Sequence, residues 1–386
     1  MGDIADIVGG GTPSTGNQSY WDGDIDWYAP AEIADQIYAN SSQKKITGLG
    51  YENSSAKMLP PGTVLFTSRA GIGKTAILTR KGCNNQGFQS IVPHRGALDS
   101  YFIFSRTGEL KRYGELVGAG STFVEVSGKQ MAAMELMMPP TMREQQTIGG
   151  FFQQLDHLIT LHQRKFEKLT NVKKSMLEKM FPQNGSSYPE IRFKGFTDPW
   201  EQRKLCDVVK EISRNDPESE APIMMITANN GFIEQSERYA FNNAGESLKK
   251  YILLKKGELA YNHGASKLRP YGSCFALTTA ENARIPFVYH CFSAENQNAE
   301  FMSIELNGAE IENQLRKIVS SGARMDGLLN ISFDEYTSVS VLLPGSEEQD
   351  CIADFFRQLD DLITLHQREL EKLQNIKKSM LEKMFV

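Results

Sequence analysis

One stretch of the chain carries residues that bind phosphate in many nucleotide-binding proteins. Residues 70–75 read AGIGKT, which resembles the end of the loop Gly-x-x-x-x-Gly-Lys-Thr, whose backbone amides surround a phosphate. The first glycine of that pattern is replaced by Ser68. Two interpretations stay open: an NTP-dependent enzyme, or a polar loop between two strands that contacts DNA. In the second, the residues able to reach phosphates or base edges are Ser68, Arg69, Lys74 and Thr75.

Polar side chains elsewhere in the chain could also contact DNA. Asn can form paired hydrogen bonds with adenine, and Arg with guanine. The candidate DNA contacts of the second half are Asn229, Asn230, His263, Lys267, Arg269 and Arg324. His263 equally fits a hydrogen-bonded strand position, and the charged residues equally fit solvated loops. Thr12 lies in the Gly- and Thr-rich stretch 9–24, which is either a flexible loop or a further DNA contact.

The sequence predicts no catalytic or metal site. Asp99 and Glu109, with Lys111, have the spacing of a nuclease carboxylate pair, which needs two carboxylates converging on a metal. The surrounding residues favour an ordinary amphipathic helix, and Glu312 replaces Lys111 in the second half. The double prolines lack the preceding Asn or Asp of a methyltransferase, and neither His-Glu-x-x-His nor a close cysteine pair suggests zinc.

Length and composition indicate an ordinary globular protein of two or three domains. The chain has 386 residues and a net charge of −5, so any DNA-binding surface must be a local basic patch. No apolar run approaches the roughly 18 residues of a membrane span, and the amino terminus lacks signal-peptide features. Five widely separated cysteines fit reduced thiols, so we expect a cytoplasmic protein.

The strongest pattern is a duplicated helix. Residues 151–181 and 355–385 are identical at 25 of 31 aligned positions. Their apolar residues alternate spacings of three and four, which predicts coiled-coil helices that pair with each other in antiparallel orientation. The alternative is two unrelated surface helices, each packed on its own domain. The predicted seam consists of Leu155, Ile159, His162, Phe166, Leu169, Met176, Met180, Leu359, Ile363, His366, Leu370, Leu373, Met380 and Met384.

The segments before the two helices share a plan but few residues. Residues 58–78 and 254–277 both predict a strand, a polar loop and another strand, and residues 99–117 and 300–319 both predict a helix. The predicted fold class is α+β: two globular domains and two long helices, related by a pseudo-twofold internal repeat. The predicted ranges are 1–142 for the first domain, 143–182 for its helix, 183–345 for connector and second domain, and 346–386 for the second helix.

This arrangement resembles the specificity subunit of a type I restriction-modification enzyme over essentially the whole chain. The resemblance lies in FFQQLDHLITLHQRKFEKL and FFRQLDDLITLHQRELEKL, in YPEIRFKGFTDPWEQRKL, and in SSGARMDGLLNIS. Members of that family usually open with a stretch like 189–205. Here Met1 aligns with Leu205, so we expect the first domain to lack that stretch.

The resemblance implies a non-catalytic DNA-recognition subunit. Each globular domain would be a target-recognition domain for one half of a split DNA sequence, and the helices would dock two methyltransferase subunits, with restriction subunits joining through those. S-adenosylmethionine, ATP and Mg²⁺ are expected only on these partners, which would flip the target base out. Half-sites about 34 Å apart suit a helical spacer of roughly 45 Å. A coiled-coil scaffold without a DNA role is the remaining alternative.

Overall fold

The protein is described by a computed structural model, which divides into two compact units. The first unit comprises Met1–Arg164 with Gln367–Val386, and the second comprises Lys165–His366. Each long helix is therefore shared between the units, whereas the sequence-based ranges kept the helices apart from both domains. The structure describes residues 1–34, 36–69, 71–119, 125–228, 231–238, 245–319 and 328–385.

The first unit combines two small sheets with helices. Its strands are β1 (Ala5–Gly9), β2 (Trp21–Tyr28), β3 (Tyr38–Ala39), β4 (Lys44–Ile46), β5 (Val64–Phe66), β6 (Thr75–Leu78), β7 (Cys83–Asn84) and β8 (Gln89–Pro93). The strand orders are β1-β8-β5-β6-β3 and β4-β2-β7. Its helices are α1 (Gly48–Glu52), α2 (Ser100–Ser105), α3 (Thr107–Gly118), α4 (Gly128–Ala132) and the first part of α5 (Met142–Lys179), with 3-10 turns at Gln18–Tyr20 and Pro30–Glu32.

Strand β5 explains why the larger sheet is buried on both faces. Val64 and Phe66 join one hydrophobic cluster, and Leu65 joins another. Alternate side chains of a strand point to opposite faces, so the two clusters lie on opposite faces of the sheet. Strand β5 pairs antiparallel with β6, which confirms the predicted strand–loop–strand at residues 58–78.

The predicted helix 99–117 is two helices, α2 and α3, that meet at Arg106. Arg106 is buried, with its guanidinium bound to Glu109 and to the carbonyl oxygen of Met137 at 2.5 Å. Asp99 caps α2 by accepting the N–H groups of Tyr101 and Phe102. Asp99 and Glu109 therefore have separate structural partners. No cluster of metal-binding side chains occurs among the residues the structure describes.

The second unit has the same kinds of elements. Its strands are β9 (Glu201–Lys204), β10 (Val209–Glu211), β11 (Met224–Thr227), β12 (Gly231–Glu234), β13 (Ile252–Lys255), β14 (Leu259–Asn262), β15 (Ser273–Ala276), β16 (Asn282–Ile285), β17 (His290–Ala294) and β18 (Ser340–Leu343). The order β10-β17-β14-β15 forms the main sheet, and β11-β12, β13-β16 and β18-β9 are pairs. Its helices are α6 (Ala299–Leu306), α7 (Ala309–Ile318), α8 (Phe333–Thr337) and α9 (Ser346–Met384), with 3-10 turns at Leu205–Asp207, Gln235–Glu237 and Gly245–Lys250.

The break between two helices recurs in the second unit. The predicted helix 300–319 is α6 followed by α7. Glu305 is buried near the end of α6 and accepts the backbone N–H of Leu342 at 3.1 Å. Burial raises the pKa of Glu305 to about 7. Arg106 in one unit and Glu305 in the other thus hold the segment that leads into the long helix, with opposite hydrogen-bonding roles.

In each unit, a glutamine that recurs in the sequence repeat links a short helix to a long one by a hydrogen bond. The side-chain oxygen of Gln145 accepts the N–H of Asp99 at 3.0 Å. Gln349, its counterpart in the repeat, accepts the N–H of Asn298 at 3.0 Å. Both glutamines are buried at the start of α5 or α9. Their burial there accounts for the sequence repeat extending upstream of residues 151–181.

The long helices contact each other within each unit. In the first unit, Lys377 pairs with Asp156 at 2.5 Å, and Phe385 stacks on Phe152. The order along the two helices is opposite, so these segments run antiparallel. Asp156 also accepts the hydroxyl of Tyr101, and burial together with the Asp156 charge raises the pKa of that tyrosine.

The second unit repeats this arrangement at equivalent positions of the repeat. Lys173 pairs with Asp360 at 2.5 Å, and the rings of Phe181 and Phe356 lie 6.2 Å apart. The seam residues between Leu155 and Met180, and those between Leu359 and Leu373, are buried or half-buried. Within each unit, the two helix segments therefore contact each other as well as the globular part.

The predicted seam fails at the end of α9. Met380 is 37% exposed and Met384 is 42% exposed. Leu381 and Phe385 pack on the core of the first unit instead. Successive helical residues are turned by about 100°, so the burial of Leu381 and Phe385 directs the preceding methionines outward.

Two further features concern the helices and the cysteines of the chain. Among the described residues, no helix combines the length and apolarity needed to cross a lipid bilayer. All five cysteines are free thiols, as their wide spacing predicts.

Candidate nucleic-acid interface

Residues 71–74 of the AGIGKT stretch lie in a hairpin loop between β5 and β6. The hydroxyl of Thr67 donates to the carbonyl of Gly71 and accepts the N–H of Lys74, at 2.8 and 2.9 Å. Gly73 has a φ of 93°, and a Cβ there would lie 2.4 Å from the Cγ of Lys111. A phosphate-binding loop leads into a helix amino terminus, but this loop leads into a strand. This loop therefore lacks the loop-to-helix arrangement of a phosphate-binding loop.

Two of the predicted contacts in this loop are buried. Ser68 is fully buried, and its backbone bonds Gly87 and Val126. Thr75 is 6% exposed, and its hydroxyl lies 2.7 Å from that of Thr107. The Thr75 hydroxyl thus has a partner within the unit, and both side chains lie below the surface of the hairpin.

Among the described residues of this loop, the exposed side chains are those of Arg69 and Lys74, and both are basic. Lys74 is exposed at the end of the hairpin loop. Arg69 is 48% exposed and pairs with Glu125 at 2.8 Å. Exposed ion pairs contribute little, so Arg69 can exchange Glu125 for a phosphate at small cost. Thr12 is half-buried and donates to the side chain of Gln86.

The second unit has a comparable hairpin between β14 and β15. Lys267 is exposed in this loop, where Ser266 and Arg269 form a hydrogen-bonded turn. Arg269 is half-buried, and its guanidinium donates to the carbonyl of Asn307 at 2.8 Å. Burial lowers the pKa of Arg269. Lys74 and Lys267 therefore occupy similar places in the two units, whereas Arg269 has a structural partner.

His263 is a structural residue. It is 7% exposed, and its ring nitrogens lie 2.8 and 2.7 Å from the carbonyl oxygens of Leu329 and Val288. Both ring nitrogens lie within hydrogen-bond distance of backbone carbonyl oxygens, so His263 occupies the hydrogen-bonded strand position. Asn229, Asn230 and Arg324 lie outside the described residues.

A basic surface that the sequence analysis missed lies on the β4-β2-β7 sheet. Arg80 binds the buried Asp26 at 2.8 Å, and Lys45 lies 3.9 Å from it. Burial acts to raise the pKa of Asp26, but hydrogen bonds from Ser42 and the charge of Arg80 lower it overall. Asp26 thus stays ionised and orients both cations. The signal was present in the sequence as adjacent basic pairs at 44–45 and 80–81.

The second unit also carries adjacent lysine pairs, at 249–250 and 255–256. Lys250 lies 5.9 Å from the centre of the Phe287 ring, as Lys44 does from Trp21. Such cation–aromatic pairs keep a basic group at the surface beside a flat ring. Each unit therefore presents local positive charge on a chain whose net charge is negative.

One family of known proteins matches the amino-terminal part of the chain. Residues 1–171 match the family described as type I restriction modification DNA specificity domain. The matched region makes up a little under half of the 386 residues. The resemblance that the repeated helices predicted is confirmed.

Curated relatives of this chain carry matching names. The type I restriction enzyme MjaIX specificity subunit of Methanocaldococcus jannaschii is 32% identical over 228 residues, which cover 56% of this chain and 52% of the relative. The EcoR124I/EcoR124II specificity subunit of Escherichia coli is 26% identical over 166 residues, covering 41% of this chain and 40% of the relative. The alignment thus spans about half the length of the first relative and less of the second.

A solved structure shares the fold over the whole chain. The type I restriction-modification S subunit from M. genitalium covers 99% of this chain and 97% of its own, with a TM-score of 0.57 and 13% identity. At this identity, the likeness shows the mixed α/β fold alone.

Proposed function

We propose that this chain is the DNA-recognition subunit of a type I restriction-modification complex, without catalytic activity of its own. Each unit reads one half of a bipartite target, and the paired long helices form an antiparallel coiled coil that sets the spacing of the halves. The observation that carries the proposal is the specificity-domain match at 1–171 joined to a second, dissimilar unit through a nearly identical helix.

Dissimilar units with similar hairpins suit two different half-sites. Lys74 and Lys267 are exposed on hairpins that occur in each unit between central strands. Lysines at such positions bind phosphates and fix the protein on the duplex, whereas neighbouring polar side chains discriminate bases. Phosphate contacts would supply much of the affinity and make it fall steeply with salt.

The helices support the docking of two methyltransferase subunits. Leu158 and Leu161 of α5 are 42% and 39% exposed, and their counterparts Leu362 and Leu365 of α9 are 46% and 51% exposed. The repeat thus presents the same apolar surface twice, as pseudo-twofold symmetry requires for two identical partners. Restriction subunits would join through the methyltransferases, and S-adenosylmethionine, ATP and Mg²⁺ would bind those partners.

Replacing single hairpin lysines tests the two-reader arrangement. In a complex assembled with a methyltransferase, we expect Lys74→Ala to reduce footprint protection of one half-site and Lys267→Ala to reduce that of the other. Each change should lower the slope of log affinity against log salt by about 1, because one phosphate contact is lost. Lys194→Ala, at an exposed residue of the connector, serves as the control. Equal loss at both half-sites from either hairpin variant would count against two independent readers.

A further inference from the structure

The second unit contains a cavity beside α6 and α7 with a volume of about 520 Å³. Its lining includes the apolar side chains of Phe181, Ile304 and Phe356. The rings of Phe181 and Phe356 lie 6.2 Å apart. Cavities of this size can bury most of the surface of a small organic molecule. The cavity is therefore large enough to hold a ligand.

Charged side chains line the same cavity, and most of them are acidic. The carboxylates are those of Glu178, Glu300, Glu305, Glu310, Asp360 and Asp361. The lining has half as many cations, which are Lys173, Arg269 and Arg357. Lys173 already pairs with Asp360, and Arg357 with Glu300. The cavity thus has an excess of negative charge, which favours a positively charged occupant.

Glu305 is a buried carboxylate of this lining without a cationic partner. It is 8% exposed, and its Oε1 atom accepts the N–H of Leu342 at 3.1 Å. Among the described residues, no cation forms an ion pair with Glu305 and no donor binds its second oxygen. Burial of the charged form raises the pKa of Glu305 to about 7. A cation bound beside this oxygen would replace the hydration that burial removes.

The helices α2 and α6 occupy equivalent places in the two units. The rings of Phe102 in α2 and Phe385 lie 5.8 Å apart, as do those of Phe301 in α6 and Phe181, the repeat counterpart of Phe385. Counted from these phenylalanines, the residues of α2 that correspond to Glu300, Ser303 and Glu305 are Tyr101, Phe104 and Arg106. Two aromatic rings and a cation of the first unit are thus replaced in the cavity lining by two carboxylates and a hydroxyl.

The exposure of one repeated aspartate shows the effect of this replacement. In the first unit, Tyr101 donates its hydroxyl to Asp156, whose side chain is 7% exposed. Asp360, its counterpart in the repeat, is 50% exposed beside the cavity. Both aspartates pair with a lysine of the other long helix, so the lysine does not account for the difference. The first unit therefore fills with its own side chains the space that is open in the second.

We propose that this cavity binds a free small molecule that consists of an aromatic body and a cationic group, such as an arylalkyl amine or guanidine. The cationic group binds the carboxylate of Glu305. The aromatic body packs on the phenylalanines of the lining and supplies the ring that Tyr101 and Phe104 supply in the first unit. Acidic groups beside aromatic rings suit ligands of this kind. The proposal is independent of DNA recognition, because it rests only on the cavity and on the comparison of the two units.

The test compares two ligands of the same shape and opposite charge. The whole chain is titrated with tryptamine, an aromatic ammonium, and with indole-3-propionate, which carries a carboxylate on the same ring and linker. Isothermal titration calorimetry should show saturable binding of one tryptamine per chain, because the first unit fills the equivalent space. Indole-3-propionate should not bind. Ethylamine, which lacks the ring, should bind at least about tenfold more weakly than tryptamine.

Three variants locate the ligand. Glu305→Gln removes the charge and can still accept the N–H of Leu342, and it should weaken tryptamine binding about tenfold or more. Ser303→Phe introduces the ring that the first unit has at this position and should abolish binding. Glu281→Gln, at a carboxylate that is 79% exposed and does not line the cavity, should leave binding unchanged. Circular dichroism checks that each variant keeps the fold.

Three results would overturn the proposal: no saturable binding of tryptamine, equal binding of the two indoles, or binding that Glu305→Gln does not weaken. An arginine side chain of a partner protein has similar chemistry, and assembly with a methyltransferase separates this source from a free molecule. The Ser303→Phe chain should bind as many methyltransferase subunits as the unaltered chain. Loss of a subunit would contradict the proposal, since a partner side chain would then occupy the cavity.

Discussion

Glu348→Ala is expected to lower the free energy of unfolding of the second unit by about 3–5 kcal/mol, the usual cost of removing one partner of a buried ion pair. Glu348 is 1% exposed and receives both hydrogen bonds of Arg192. The hydrogen bond to Glu348 raises the pKa of Arg192. Without Glu348 the guanidinium still stays charged, because the ordinary pKa of arginine lies far above neutral pH. Removal of the carboxylate leaves that half-buried cation without its partner.

The repeat supplies a matched control for this prediction. Glu144→Ala changes the same residue at the equivalent position of α5, where the carboxylate is exposed, and is expected to cost within about 0.5 kcal/mol. Urea denaturation, followed by circular dichroism and tryptophan fluorescence, compares the two variants. A cost for Glu348→Ala as small as that for Glu144→Ala would show that the Arg192 pair does not stabilise the unit.

The second large effect concerns partner stoichiometry. We expect Leu158→Asp to lower the number of methyltransferase subunits bound per chain from two to one, and Leu362→Asp to do the same. Both leucines are exposed at equivalent positions of the repeat. A carboxylate in a buried apolar contact is costly to desolvate, so affinity at the altered site should fall by about 100-fold or more.

Native mass spectrometry of the co-expressed proteins measures this stoichiometry. The double variant should bind no methyltransferase. Leu116→Asp, at a more exposed leucine of α3, should still bind two and so controls for a general effect of surface charge. If each single variant lost both partners, or if the double variant kept both, the duplicated leucines would not form the docking surfaces.

The long helices could be predicted from sequence because their pattern is local and repeated. The predicted helix ranges 143–182 and 346–386 lie within three residues of the observed bounds at each end, which are Met142–Lys179 for α5 and Ser346–Met384 for α9. Spacings of three and four place residues on one helix face whatever surrounds them. The hairpins could be predicted for the same reason, because strand residues and turn residues alternate over short distances in the sequence.

Features that depend on distant contacts could not be predicted. The break at Arg106 is stabilised by the carbonyl of Met137, which lies 31 residues away. The burial of Thr75 depends on Thr107 across the fold. The outward position of Met380 follows from the burial of Leu381 against the first unit. No local pattern encodes these partners, so the chemical type of a loop residue does not reveal whether its side chain is exposed.

The specificity-subunit function is tested most directly by methylome sequencing of cells that express this chain with a type I methyltransferase. The account predicts methylation at a single split motif, with two short specified halves separated by unspecified bases. Swapping the second unit for that of another specificity subunit should change one half of the motif and leave the other. Methylation at an uninterrupted motif, or no methylation by a complex that does assemble, would contradict the account.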